Sequence, residues 1–217
     1  MDGNGRWASN RNLSRTEGHR EGVKAVSKIT KYCGEIGINY LTLYTFSEEN
    51  WKRPKSEIIA LMKLLIESLE IETKALLKNN VQFKVIGDLN KLDLITRNKL
   101  KGVEKITKDN TGLNLILAVS YGSRQEIINT FNELIKNKIS NITESIFSDL
   151  LYTKDIPDPD LLIRSGKHHR VSNFLLWQIA YTEIYFSDTL WPDFNEESIN
   201  QAIVDFNLRK RTYGKIN

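Results

Sequence analysis

Ile38-Asn39-Tyr40-Leu41-Thr42-Leu43-Tyr44-Thr45, running straight into Phe46-Ser47-Glu48-Glu49-Asn50-Trp51-Lys52-Arg53-Pro54, is the stretch on which the fold turns. A β-branched and aromatic run gives way to a polar, proline-ended segment, and residues 55–78 behind it carry apolar side chains at helical spacing. Strand, polar turn and helix form the repeating unit of an α/β fold. The pattern recurs on both sides. Ile38–Thr45, Val81–Ile86, Leu113–Val119 and Asp160–Ile163 read as buried strands, and residues 17–35, 55–78, 89–109, 123–137 and 195–210 as helices. That order predicts a single α/β domain over residues 1–217, with a largely parallel central sheet flanked by helices. Parallel sheets bind ligands beyond the carboxyl ends of their strands, so Phe46–Pro54 and Ser120-Tyr121-Gly122-Ser123-Arg124 are expected on one rim. The polar 138–159 stretch reads as a looser connection, and there is no repeat or low-complexity linker.

The chain has 217 residues, 40% hydrophobic, enough for one sizeable core. A formal charge of +4 and a pI near 9.0 favour an anionic partner: nucleic acid, an acidic lipid surface or a phosphorylated metabolite. Cys33 is the only cysteine, which excludes an internal disulfide and a thiolate metal cluster and fits a reducing compartment. Without a secretory peptide or a long apolar stretch, a cytoplasmic protein with at most peripheral membrane contact is expected.

Anion-binding chemistry sits in two widely separated clusters. In Met1-Asp2-Gly3-Asn4-Gly5-Arg6-Trp7, the glycines allow a tight turn that brings N–H groups close to phosphate oxygens. Asp2 offers a hard carboxylate for Mg²⁺ and Arg6 a fork of donors. Arg15 and His19, four residues apart, would share a helix face that extends this site. In Arg164-Ser165-Gly166-Lys167-His168-His169-Arg170-Val171-Ser172, a loop that folds back would converge Arg164, Arg170 and Ser172 on a second phosphate. Glu183 interrupts the apolar run Ala180–Phe186 and reads either as a metal or cation partner or as the polar face of an edge strand. The apolar residues of 55–78 cover more than one stripe, consistent with core packing or with a wall of an elongated apolar channel.

Met1-Asp2-Gly3-Asn4-Gly5-Arg6-Trp7-Ala8, Phe46–Trp51 with Arg53-Pro54, Pro157 to Arg164, Ser172–Gln178 and Trp191-Pro192-Asp193-Phe194 together resemble, in order, the motifs of the cis-prenyltransferase family. The bacterial members of that family are undecaprenyl diphosphate synthases. The resemblance implies a homodimeric, Mg²⁺-dependent transferase. It would add isopentenyl diphosphate in successive cis condensations to an allylic diphosphate, usually farnesyl diphosphate, and make a long-chain polyprenyl diphosphate, undecaprenyl diphosphate in bacteria. Gly5, Arg6, Arg15 and His19 would then hold the allylic diphosphate, with Gly3, Asn4 and Trp7 of the same motif also substrate-binding, and Arg164, Arg170 and Ser172 would hold isopentenyl diphosphate. Arg53 would serve both anions, while Ser47, Asn50 and Trp51 would orient the reacting groups. Asp2 would bind Mg²⁺, joined by Glu183. The growing tail would enter a channel beside residues 55–78, with Leu65 and Leu69 on its wall.

Departures from the family pattern set further expectations. The family carries a strand-bearing segment ahead of Asp-Gly-Asn-Gly-Arg-Trp, so Met1 is expected to be an internal methionine and full activity to belong to a longer product. Lys167-His168 replaces a Gly-Glu pair, Ser120 an Asn, and Thr212 the arginine of a terminal motif that keeps Gly214; the adjacent Arg211 would substitute for it across the dimer only if the tail shifts by one position. A non-catalytic partner subunit of the same fold would have lost Asp2, Arg6 and the second arginine pair, all of which are intact. A nucleic-acid-binding module would need a contiguous basic stripe interleaved with surface aromatics, which this sequence does not contain.

Overall fold

The computed structural model describes residues 1–212. Its elements, in chain order, are α1 (Asn4–Ser9), α2 (Arg15–Glu35), β1 (Tyr40–Ser47), α3 (Lys55–Lys78), β2 (Gln82–Ile86), α4 (Leu94–Thr107), β3 (Asn114–Tyr121), α5 (Ser123–Lys136), α6 (Glu144–Ser148), β4 (Leu161–Arg164), β5 (Glu183–Phe186) and α7 (Glu196–Leu208). The chain groups into two compact units. Of the described residues, one comprises 33–157 and 173–176, the other 1–32, 158–172 and 177–212.

The first unit is built on a three-stranded parallel sheet in the order β1-β3-β2. β3 is central, and seven of its eight residues are buried, so Leu115-Ile116-Leu117-Ala118-Val119 is continuously apolar rather than alternating. A strand covered on both faces requires that. β1 starts later than its apolar run and continues through Ser47, with a bulge between Tyr44 and Ser47 that turns the following segment at the rim. Gly87 stands at φ +123°, and a Cβ there would lie 2.0 Å from the Val119 carbonyl oxygen, so only glycine lets β2 leave the sheet at this point. The helix expected over 89–109 is broken: a 3-10 turn (Leu89–Lys91) precedes α4, because Asp93 caps the new helix by accepting from Thr96 N at 2.9 Å. α6 forms inside the 138–159 connection, capped by Thr143. Cys33 is buried, and burial pushes its thiol up to about 11, which leaves it unreactive.

The second unit contains a two-stranded parallel sheet, β4 with β5, in register Leu161↔Glu183 to Arg164↔Phe186. Trp191, 5% exposed, anchors this unit by donating from Nε1 to the Gly22 carbonyl at 2.9 Å. Among the described residues, no helix is long and apolar enough to cross a membrane.

Candidate active site

In the second unit the two anion-binding clusters, 162 residues apart in sequence, meet at one carboxylate. Arg164 Nη2 lies 2.9 Å from Asp2 Oδ2, and Arg6 Nη2 lies 3.3 Å from Oδ1. The Asp2 backbone is pinned as well, its N–H donating to Ser165 Oγ at 3.0 Å and its carbonyl accepting from Trp191 N at 2.9 Å. Arg6 Nη2 also donates to the Gly166 carbonyl at 2.6 Å. Gly166 has φ +89°, and a Cβ there would come 2.8 Å from the Asp2 carbonyl oxygen, so the 164–167 loop closes over Asp2 only with glycine. Arg164 uses its other amino group, Nη1, to donate to Ser172 Oγ at 2.5 Å and to the Arg170 carbonyl, which folds the loop back as its spacing suggested. The Arg170 side chain is exposed at the turn of that loop.

The first motif is not an open turn. Gly3 precedes the short helix α1, and the face of that helix carrying Asn4 and Gly5 packs on α2. Asn4 Nδ2 lies 3.3 Å from His19 Nδ1, and the Arg15 guanidinium carbon is 3.5 Å from where a Gly5 Cβ would stand. Arg15 and His19 therefore share the α2 face that meets the motif, while Asn4 Oδ1 is buried with no hydrogen-bond partner among the described residues. Trp7 serves as an anchor: its Nε1 donates to Asp193 Oδ1 at 2.6 Å, and Arg11 covers its ring at 4.2 Å.

Partial burial raises the Asp2 pKa, but the hydrogen bond and charge of Arg164, then the charges of Arg6 and His168, outweigh it and hold the carboxyl below its ordinary value. His168, absent from the expected site set, has Nε2 3.9 Å from Asp2 Oδ2. A depressed folded pKa contributes stability that is fully present above the unfolded pKa, near 4, and is lost as pH falls through the folded value. The stability difference between the protein and Asp2→Asn, read from denaturant midpoints, should therefore be constant near neutrality and shrink below about pH 4. A difference independent of pH would mean the carboxylate is not paired.

Glu183 is not beside Asp2. It opens β5 opposite Leu161, three residues along β4 from Arg164 and so roughly 10 Å away at strand rise. There Glu183 Oε2 accepts from Arg209 Nη1 at 2.8 Å, which is the cation-partner reading of the sequence. Arg211 pairs with Asp160 of its own chain at 2.6 Å. Gly214 lies outside the described residues. No signal in the sequence marked Arg209, since its partner is reached only through the β4–β5 pairing. Among the described residues, no three His, Cys, Asp or Glu side chains gather as a metal-binding group. Mg²⁺ keeps several waters and takes one or two protein carboxylates together with substrate phosphates. Asp2, ionised and a third exposed, fits that demand by itself.

The first unit holds the remaining expected residues. The Ser47 N–H donates to Asn50 Oδ1 at 3.1 Å, and a 3-10 turn (Glu48–Lys52) follows, which brings Trp51 Nε1 to Ser120 Oγ at 2.9 Å. The two segments expected on one rim thus share it, with Ser47 in register with Tyr121. Arg53 Nη1 is paired with Glu57 at 3.0 Å rather than standing open. Asn173, which the sequence reading left without a role, ties the rim together: it donates to Glu49 at 2.8 Å and accepts from Arg124 N at 2.9 Å. Beside the rim lies an apolar groove of about 570 Å³, lined by Trp51 and by Ile58, Ile59, Met62 and Ile66 of α3, and bounded by Lys91, Asp93 and Thr96. Leu65 and Leu69 are not part of this lining, and Leu69 is buried at 4% exposure.

Relatives match the chain over most or all of its length. A family profile described as "Putative undecaprenyl diphosphate synthase" covers residues 1–214. The isoprenyl transferase of Fusobacterium nucleatum is 48% identical over 216 residues, spanning 100% of this chain and 94% of that relative. The "ditrans,polycis-undecaprenyl-diphosphate synthase ((2E,6E)-farnesyl-diphosphate specific)" of Pasteurella multocida is 45% identical, over 99% of this chain and 92% of that one. Among solved structures, lavandulyl diphosphate synthase from Lavandula x intermedia, in complex with dimethylallyl diphosphate, superposes with a TM-score of 0.94 at 33% identity, covering 99% of this chain and 95% of that chain. A "probable undecaprenyl diphosphate synthase" from Campylobacter jejuni gives a TM-score of 0.82 at 41% identity, covering 90% of this chain and 93% of that one. The chain belongs to the cis-prenyltransferase family.

Proposed function

We propose that this protein condenses isopentenyl diphosphate with an allylic diphosphate and extends the product by repeated cis additions, residues 1–217 acting as one catalytic domain. Family membership carries the prenyl transfer itself; farnesyl diphosphate as the starter and undecaprenyl diphosphate as the product are the finer reading, taken from relatives such as that of Pasteurella multocida. The observation that supports it best is the meeting of Arg6 and Arg164 at Asp2, which concentrates guanidinium donors around one ionised carboxylate.

In the transfer, the allylic C–O bond breaks while the alkene of isopentenyl diphosphate forms the new C–C bond, and a proton then leaves the isopentenyl unit. Negative charge grows on the departing diphosphate. Arg6, Arg15 and His19 would stabilise it, and Arg164, Arg170 and the Ser172 hydroxyl would hold the second diphosphate in reach. Mg²⁺ bound at Asp2 would supply Lewis-acid stabilisation of the same charge. Ser47, Asn50 and Trp51 at the rim would orient the reacting ends. The apolar groove would take the tail, each buried methylene favouring retention by about 0.8 kcal/mol.

Ile66→Trp fills part of that groove and should shorten the products, whereas Leu65→Trp, outside the lining, should leave them near their original length. Shortening by Leu65→Trp alone would place the tail on the other arc of α3. An exposed apolar stripe on α5, Ile128, Phe131 and Ile135, supports pairing with a second copy as a homodimer.

The deciding experiment incubates the protein with radiolabelled isopentenyl diphosphate, farnesyl diphosphate and Mg²⁺, and sizes the extracted lipids. Long-chain product that vanishes with chelator is expected. A folded protein giving no product would move the reading to a non-catalytic partner subunit.

A further inference from the structure

Near the end of β3, Ser120 adopts a left-handed backbone, φ 52°, while only 1% exposed. A non-glycine residue in that conformation costs about 1–2 kcal/mol, so it persists only where the surroundings over-determine it. Two contacts accompany the conformation here: the Ser120 carbonyl accepts from Asp88 N at 3.1 Å, and, through the side chain, Ser120 Oγ accepts from Trp51 Nε1 at 2.9 Å. Phe46 steadies the same indole edge-on, with ring centroids 5.0 Å apart. Trp51 has two affiliations. It belongs to the rim turn with Ser47 and Asn50, and it lines the apolar groove with Ile58, Met62 and Ile66. Its orientation therefore affects both the polar rim and the apolar wall next to it.

We propose that Ser120 is a positioning residue for prenyl transfer: its hydroxyl holds the Trp51 indole between rim and groove, and so sets how the allylic prenyl group is seated. This rests on the function proposed above. The chemistry of the position gives the test. Alanine leaves the indole N–H without its acceptor. Glycine accepts the positive φ without strain but also offers no acceptor, so it removes the hydroxyl without endangering the fold. Asparagine tolerates the left-handed region and brings a side-chain oxygen.

Ser120→Ala and Ser120→Gly are expected to raise the KM for the allylic diphosphate roughly tenfold, the effect of one unmade buried hydrogen bond. The KM for isopentenyl diphosphate should stay unchanged. Ser120→Asn should restore the allylic KM, and Ser120→Ala should add nothing in a Trp51→Phe background. The Trp51 indole N–H signal in an NMR spectrum, identified by its loss in Trp51→Phe, should shift in the alanine and glycine variants and return towards its original position in asparagine. An allylic KM that ignores Ser120, the same rise in the Trp51→Phe background, or an unmoved indole signal would each overturn the role. A native protein without any prenyl transfer would instead overturn the proposed function, so the two failures are told apart by the native control.

Discussion

Replacing Asp2 with alanine should lower turnover roughly 10²–10³-fold, the usual cost of removing one preorganised group that stabilises developing charge, while leaving the protein folded. The carboxylate is a third exposed and lies between two guanidiniums, so its loss removes a charge partner rather than core packing. Arg6 and Arg164 then lose the anion that neutralises them. Inorganic diphosphate should bind at least as tightly in the absence of metal, while turnover with Mg²⁺ collapses. That split between binding and rate separates a chemical role from a structural one. Steady-state turnover, with calorimetric titration of diphosphate, reads both quantities, and unchanged turnover in a folded variant would remove Asp2 from the mechanism.

Gly18→Ala should be among the most destabilising single-methyl additions in the chain. A Cβ there would stand 2.1 Å from the Asn4 carbonyl oxygen and 3.0 Å from Ala8 Cβ, and the first of these is backbone that cannot rotate away. α1 must lift off α2, which strains the Asn4–His19 contact and the Arg6 side chain that follows. A loss of about 3 kcal/mol is expected for such overpacking, or a fall in Tm of roughly 6–12 °C for a chain of this size. Gly22→Ala is the contrasting variant. Its Cβ would meet the Asn4 side-chain oxygen at 2.8 Å, and a side chain can give way, so its fall should be clearly smaller. Equal melting temperatures for Gly18→Ala and the parent, measured by circular dichroism, would show that α1 does not pack on α2 this closely.

Much of the fold was legible because helices and strands are specified by near neighbours. The apolar spacing of 55–78 and the uninterrupted Leu115–Val119 run each carry their period within a few residues, and α3 and β3 form where they do. Boundaries were less legible. The segment 89–109 is apolar enough to read as one helix, yet Asp93 captures the Thr96 N–H and restarts it. α1 was hidden because Gly3-Asn4-Gly5 has the composition of a turn and becomes helical only when packed against Gly18 and Gly22.

The candidate site divides in the same way. Asp2, Arg6, Arg164, Arg170 and Ser172 could be named from the sequence because carboxylate and guanidinium groups crowded into short, glycine-containing segments are a local, chemically specific signal. Their partners could not. Trp7 to Asp193, Glu183 to Arg209 and Trp51 to Ser120 were not marked by any local pattern. The sequence by itself determined the α/β class, the order of β1 to β4 and of the longer helices, and the chemical character of the two anion-binding clusters, since all three rest on residue type and short-range periodicity. Only the tertiary structure decided that the clusters share Asp2, that Glu183 is answered by an arginine of its own chain, and which arc of α3 borders the groove. Contacts across up to 186 residues are set by how packed elements meet in space, and a one-dimensional pattern holds no distance of that kind.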